Sequence, residues 1–258
     1  MIIRSFTGIC YVSIILSSLF YDIKLFSIIM FCFSCLAIFE YQKLLNLKNI
    51  IPYFLLGFMY FYFLESRNPS ETISIILIIT IISQILMLRW LFVGRYKRKI
   101  VSTFLTYGYL VFSCFFIIVI PFSKGDYNPK LLMFIFTLNW TNNSFAYLFG
   151  KKFGKTKMIP KVSPNKSWEG FWGGLVFTSL IAIIFYKFEV GVNYIQVVVF
   201  SFIIPILATL GDLVQSRIKR DKGVKDSGNI LPGHGGFYDR MDSIIFIAPW
   251  SFYVLNQI

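Results

Sequence analysis

Apolar runs long enough to cross a bilayer follow one another along almost the whole chain, separated by short polar turns. A hydrocarbon layer of ~30 Å needs ~20 helical residues, because each residue advances a helix by ~1.5 Å. Measured that way the chain holds about nine spans, near 5–21, 25–42, 50–64, 72–93, 100–122, 130–149, 168–187, 194–215 and 243–258. Lipid offers no hydrogen bonds, so each run must satisfy its own backbone, which a helix does. The expected fold is therefore all-α: a polytopic transmembrane helical protein. Composition agrees, since 57% of residues are hydrophobic and only 14% charged, against about 45–50% and about 25% in soluble domains. No polar stretch is long enough to build a separate soluble domain. The first run reaches Phe20 without a small-residue cleavage site and reads as a retained span.

A net charge of +13 would suit a nucleic-acid partner if it were gathered on one face, but it is distributed by loop. The even-numbered loops hold eighteen Lys and Arg, among them Lys43, Lys48, Arg95, Lys97, Arg98, Lys99, Lys151 to Lys166 and Arg217 to Arg240. The odd-numbered loops hold five: Lys24, Arg67, Lys124, Lys130 and Lys187. Such an asymmetry follows the positive-inside rule and expects the N-terminus and the even loops in the cytoplasm. The basic excess thus reports topology, and no nucleic-acid partner is expected. Cys10, Cys32, Cys35 and Cys114 all lie in apolar runs, where packing is the expected role; Cys32 and Cys35 have redox spacing but no ligand nearby.

Two regions differ in character. Residues 1–121 read as a membrane scaffold, in which Gln84 and Arg89 are structural, Arg95 to Lys99 contact anionic lipid and nothing resembles a chemical site. Residues 122–258 carry the polar features. The sixth span ends in Asn139-Trp140-Thr141-Asn142-Asn143-Ser144, whose amides require polar partners at membrane depth. After it comes a basic loop that ends at Lys161, Ser163, Lys166 and Ser167. Either Ser163 or Ser167 caps the next helix, with Glu169 in its first turn. Gly170, Gly173 and Gly174 give that helix a close-packing face. The segment from Gly150 to Thr156 imitates a phosphate-binding P-loop, but its glycines are one residue too close and it follows a helix, not a strand.

Charge is densest between Gly211 and Ser243, where five of the twelve acidic residues and the single histidine, His234, accompany six Lys and Arg. If the eighth helix continues past the membrane boundary, Asp212, Ser216, Lys219 and Arg220 share one face, and the helix ends near Gly223. Beyond it come Lys225 and Asp226, a glycine-rich turn with His234, Gly235 and Gly236, and then Asp239-Arg240-Met241-Asp242. Carboxylates in this number suit Mg²⁺, cations suit phosphate, and glycines let backbone N–H groups approach an anion.

The run from Ser216 through Lys219-Arg220, Lys225-Asp226, Leu231-Pro232 and His234-Gly235-Gly236-Phe237 to Asp239-Arg240-Met241-Asp242 resembles the phosphatidate cytidylyltransferase (CDP-diacylglycerol synthase) family. So do Ala146-Tyr147 to Gly150, Val162-Ser163-Pro164 to Gly170, and Gly211-Asp212-Leu213. The resemblance covers about 140–243; before that the chain is similar only as a series of spans. One departure stands out: Asn143 occupies a position where the pattern has aspartate, which suits substrate binding better than metal ligation.

The resemblance implies transfer of CMP from CTP to phosphatidate, giving CDP-diacylglycerol and pyrophosphate with Mg²⁺, and it leaves room for a second, monovalent or divalent, ion. It implies metal ligation by Asp212, Asp226, Asp239 and Asp242, and phosphate binding by Lys219, Arg220, Lys225 and Arg240. Ser216 and His234 would orient the phosphates. Asn143, Lys161, Ser163, Lys166, Ser167, Glu169, Gly235 and Gly236 would line the nucleotide or lipid headgroup. The partners implied are CTP, phosphatidate and the bilayer, with a homodimer allowed, in a bacterial inner membrane with chemistry at the cytoplasmic face. A CTP-dependent polyprenol or lipid kinase and a transporter of a phosphorylated solute are the alternatives.

Overall fold

In the computed structural model the described residues are 2–66, 71–93, 106–228, 230 and 235–258. The loop cations Arg67, Arg95, Lys97, Arg98 and Lys99, together with His234, lie outside them. The helices are α1 (Ile2–Tyr21), α2 (Ile23–Leu45), α3 (Ile51–Ser66), α4 (Glu71–Val93), α5 (Phe112–Val119), α6 (Pro129–Phe153), α7 (Trp168–Tyr186), α8 (Tyr194–Asp221) and α9 (Asp242–Gln257). A π-helical turn, Thr106–Val111, leads into α5, and 3₁₀ turns occupy Ile120–Phe122 and Tyr238–Arg240. The fold is all-α and membrane-like. By length and composition, four of the described helices can cross a membrane: Ile23–Leu45, Thr72–Val93, Trp168–Tyr186 and Tyr194–Asp221. The runs Thr7–Tyr21, Ile51–Glu65 and Thr106–Phe122 are shorter apolar helices.

Internal contacts divide the chain into two compact units, Met1–Ile118 with Ile218–Met241, and Val119–Arg217 with Asp242–Ile258. In the first unit α2 packs against α1 and α3, and α4 packs against the π-helical turn. Asp22 caps α2 by accepting from the N–H groups of Lys24 (2.6 Å) and Leu25 (3.1 Å). The helix stops at Asn46, which takes the left-handed conformation at φ 54°. Phe26, Ala37, Ile38, Tyr109 and Phe116 are fully buried and form its core. Gln84 is also buried and donates to Ser113 Oγ at 3.1 Å, the structural role expected of it. All four cysteines are free thiols.

The second unit is built on the pairing of α6 with α7. Asn128 caps α6 through the N–H of Lys130 (3.0 Å), and Pro129 follows at the first helical position. On α7 the small residues do what their spacing predicts. A Cβ at Gly170 would lie 2.6 Å from the Ala146 carbonyl oxygen, and one at Gly174 would lie 2.5 Å from Asn142 Oδ1, so the helices meet through glycine backbone. Between them the basic loop forms a short antiparallel hairpin, β1 (Lys157–Ile159) with β2 (Ser163–Ser167), its register shifted by a bulge.

Candidate active site

Within the second unit, the residues expected to bind substrate and metal come together in part. Lys166, next to last in β2, places Nζ 2.6 Å from Asp212 Oδ2, with the two side chains 24% and 32% exposed. Ser216, one turn further along α8, donates its hydroxyl to the other oxygen of Asp212 at 3.2 Å, the i to i+4 adjacency read from the sequence. Ser167 follows Lys166 directly and caps α7, accepting from the Gly170 N–H at 3.2 Å. The two candidate caps are thereby distinguished: Ser163 lies in β2. Glu169, in the first turn, accepts from the Thr156 N–H at 3.0 Å and so ties the start of the hairpin to the start of α7. This arrangement presents Lys166 at the end of a braced loop, directly before the capping Ser167.

The amide cluster on α6 also finds the partners it needs. Asn142 donates to Asn143 Oδ1 (3.3 Å), and Asn143 donates to Asn139 Oδ1 (3.4 Å) and to Ser243 Oγ (3.2 Å). The Ser243 hydroxyl then donates to Asp242 Oδ1 at 3.1 Å, and its backbone N–H donates to the same oxygen at 2.6 Å. A directed chain of donors therefore runs from Asn143 to the carboxylate that begins α9. Asn143, where an acidic residue was expected, supplies N–H groups that a carboxylate lacks. Gly211, immediately before Asp212, packs against the start of the same helix: a Cβ there would lie 2.8 Å from the Asp242 carbonyl oxygen.

The last turn of α8 lies in the first unit. It ends at Asp221 with Gly223 in the left-handed region (φ 71°). The Val224 N–H donates to the Lys219 carbonyl (3.0 Å) and the Gly223 N–H to the Arg220 carbonyl (2.9 Å), closing the helix where the sequence expects it to end. Lys219 Nζ lies 2.6 Å from Asp239 Oδ1, with the side chains only 12% and 7% exposed. The other oxygen, Oδ2, accepts from the backbone N–H groups of Ser227 (2.8 Å) and Gly236 (3.1 Å). Burial alone would raise the Asp239 carboxyl, but the Lys219 charge and these donors outweigh it and hold the group below its ordinary value. Asp239 is thus an anchored anion.

Most of the remaining expected residues lie nearer the surface. Lys161, Lys225, Asp226 and Arg240 are exposed, and Arg220 donates to the Val224 carbonyl at 3.1 Å. Gly235 adopts φ 84° beside Asp239. Gly236 is buried, with Ser227 Oγ and Glu40 so close to its Cα that a side chain would overlap them. Glu40 is the residue sequence reading missed in the first half of the chain, which was expected to hold no chemical site. It is 1% exposed on α2 and accepts from Ser227 Oγ (2.8 Å) and the Tyr238 N–H (2.9 Å). One signal was available: a lone carboxylate inside an apolar run of membrane-crossing length.

Chemically, the second unit offers oxygen donors only: the carboxylates of Asp212 and Asp242 and the hydroxyls of Ser216 and Ser243. That donor set fits a hard cation such as Mg²⁺. Among the described residues no three His, Cys, Asp or Glu form a group able to hold an ion unaided. Magnesium characteristically takes one or two protein carboxylates and completes its shell with water and substrate phosphate.

Comparison with known proteins identifies the family. A family model described as "Cytidylyltransferase family" matches residues 2–258. The phosphatidate cytidylyltransferase of Bacillus subtilis is 30% identical over 247 residues, covering 89% of this chain and 88% of that protein. The phosphatidate cytidylyltransferase of Haemophilus influenzae is 43% identical over 128 residues, 48% of this chain and 44% of that one. That of Staphylococcus aureus is 47% identical over 120 residues, 46% of each.

Proposed function

The chain belongs to the cytidylyltransferase family, and from that membership we propose that it transfers CMP from CTP to phosphatidate, releasing pyrophosphate and yielding CDP-diacylglycerol. A phosphate oxygen of phosphatidate attacks the α-phosphorus of CTP, and the bond to the β-phosphate oxygen breaks. The attacking oxygen is already ionised, so no covalent enzyme intermediate and no strong base are needed. What the reaction requires is that two polyanions be held together while charge shifts to the departing pyrophosphate, a task for positioned cations and dipoles.

The observation that carries this reading is the Lys166–Asp212 pair, which joins the two motif blocks that resemble the family. Lys166 can exchange the carboxylate it contacts for a substrate phosphate, and Asp212 would then be available to hold a metal ion, which would supply positive charge beside the phosphates. Asp212 and Asp242 are the ligands we assign first for Mg²⁺. Asp226 and Asp239 are the remaining acidic candidates. Ser216 keeps Asp212 oriented, and Ser243 does the same for Asp242 with Asn143 behind it. Lys219, Arg220, Lys225 and Arg240 bind phosphate; Lys161, Ser163, Ser167, Glu169, Gly235 and Gly236 shape the nucleotide and headgroup surroundings, and His234 orients phosphate.

This is an integral membrane protein. The excess of eighteen over five loop cations supports chemistry at the cytoplasmic face, where CTP arrives from water while the acyl chains stay in lipid, and the bacterial relatives support an inner membrane. The test is incubation of purified protein with CTP, Mg²⁺ and phosphatidate in mixed micelles, following pyrophosphate and CDP-diacylglycerol together. Equal amounts of both are expected. CDP with a phosphorylated lipid would identify a kinase instead, and solute uptake into liposomes without chemical change would identify a transporter.

A further inference from the structure

Glu40 is a buried carboxylate that the proposed chemistry does not use. Its Oε2 accepts from Ser227 Oγ at 2.8 Å and from the Tyr238 N–H at 2.9 Å. Ser227 also serves Asp239: its N–H lies 2.8 Å and its hydroxyl 2.9 Å from Asp239 Oδ2. Glu40 is therefore separated by one side chain from Asp239, whose other oxygen holds Lys219. Aromatic contacts fix the same turn on α2. Tyr41 meets Tyr238 edge-on at 5.4 Å between ring centroids, and Phe33 lies 5.0 Å from Phe237. Gly228 and Gly236 approach the carboxylate so closely that a Cβ at either would overlap it.

Packing alone gives no reason for a carboxylate here. Glu40 Oε1 is buried and has no hydrogen bond among the described residues, and a buried polar group without partners is costly to keep. The benefit comes from Oε2, which ties both ends of the glycine-rich segment, Ser227 and Tyr238, to one atom of a helix.

We infer that Glu40 is a positioning residue: by accepting from Ser227 and Tyr238 it fixes the turn that holds Asp239 against Lys219 of α8, so a helix of the N-terminal half sets the pose of a phosphate-binding cluster. The inference rests on the reading of Asp239 and Lys219 as part of the nucleotide site.

The experiment compares Glu40→Leu, which keeps the volume and removes the acceptor, with Glu40→Gln, which keeps an acceptor oxygen. Turnover is measured per mole of folded, monodisperse enzyme with CTP and phosphatidate. For Glu40→Leu, kcat should fall roughly 10- to 100-fold, as misplacement of reacting groups produces, while the KM for CTP moves less than about threefold. Glu40→Gln should restore kcat to within about threefold of the parent. Should Glu40→Leu fail to fold, Ser227→Ala, which removes one hydroxyl, is expected to give the same kcat loss. Where Glu40→Leu does fold, combining it with Ser227→Ala should cost less than the product of the two single losses, because both act through one contact.

Hydrogen exchange over residues 235–240 supplies a readout independent of turnover, with the Tyr238 amide losing protection in Glu40→Leu and regaining it in Glu40→Gln. An unchanged kcat per folded enzyme together with unchanged Tyr238 exchange in Glu40→Leu overturns the inference, as does additivity with Ser227→Ala. If the parent protein makes no CDP-diacylglycerol, the proposed function fails, and the exchange measurement still decides the role of Glu40.

Discussion

Lys166 and Asp212, 46 residues apart in the chain, meet as an ion pair at 2.6 Å in which neither partner is fully buried. A pair this exposed contributes about 1 kcal/mol or less to stability, so its value lies in availability: each charge can exchange its partner for a ligand at little expense. Asp212→Asn should lower turnover by roughly 100-fold or more, the scale seen when one stabilising group is removed from a transition state. Lys166→Met should raise the KM for an anionic substrate as well as lower kcat. Both variants should keep the thermal midpoint of the parent in detergent to within a few degrees. Near-parental turnover in Asp212→Asn removes that residue from the site.

Ser243 is the relay through which Asn143 reaches Asp242. Removing the hydroxyl in Ser243→Ala takes one donor from Asp242 Oδ1 and keeps the bond from the backbone N–H. One hydrogen bond to a charged acceptor is worth about 1.5–3 kcal/mol, so turnover should fall about tenfold or somewhat more. If Asp242 binds metal, the Mg²⁺ concentration for half-maximal rate should rise in the same variant. A lower rate with an unchanged Mg²⁺ titration would give Asp242 a role other than metal binding.

Much of this arrangement was legible in the sequence because it follows from helical periodicity. The spacing of Asp212 and Ser216 set their contact, Gly223 marked the end of α8, and the small residues of α7 announced a close-packing face, though not that α6 would meet it. Glu40 was not legible as a partner of Ser227, since 187 residues separate them and a carboxylate three residues before Lys43 looks like a boundary residue. The hairpin of the basic loop was hidden for another reason. Its strands, Lys157-Met158-Ile159 and Ser163-Pro164-Asn165-Lys166-Ser167, lack the alternation that marks a strand, and they are held by pairing and by the caps at Ser167 and Glu169. The departure at Asn143 was visible in the sequence, but its meaning as a donor to Ser243 needed the geometry.

Asp239 gives a pH-dependent signature. Its carboxyl titrates below its ordinary value, so the stabilisation it supplies is complete above the unfolded carboxylate value, about 3.9, and is lost as pH falls through the lower folded value. Asp239→Asn leaves Lys219, only 12% exposed, without its carboxylate, a change of about 3 kcal/mol for a buried pair. Thermal midpoints should therefore differ between parent and variant by a constant amount from pH 7 to about 5, and converge below about pH 4. A gap that persists unchanged to the most acidic pH tested would mean that the carboxylate charge is not what holds the turn.

Gly174 tests the packing of α6 on α7 separately from any chemistry. In Gly174→Ala the new methyl would meet Asn142 Oδ1 at 2.5 Å and the Asn142 carbonyl oxygen at 3.0 Å. The Asn142 amide must swing away from the methyl, and the backbone oxygen must give by a few tenths of an ångström, so the face that α6 turns to α7 is disturbed. Overpacking of this kind costs about 1–3 kcal/mol, and roughly 2–4 °C of thermal midpoint accompanies each kcal/mol in a chain of this size. The amide chain from Asn142 through Asn143 to Ser243 is disturbed with that face, so turnover per folded enzyme should fall in Gly174→Ala, and more steeply in Gly174→Val. An alanine variant with the parental midpoint and the parental rate would show that α7 approaches α6 less closely than glycine backbone allows, and that Asn143 owes its position to other contacts.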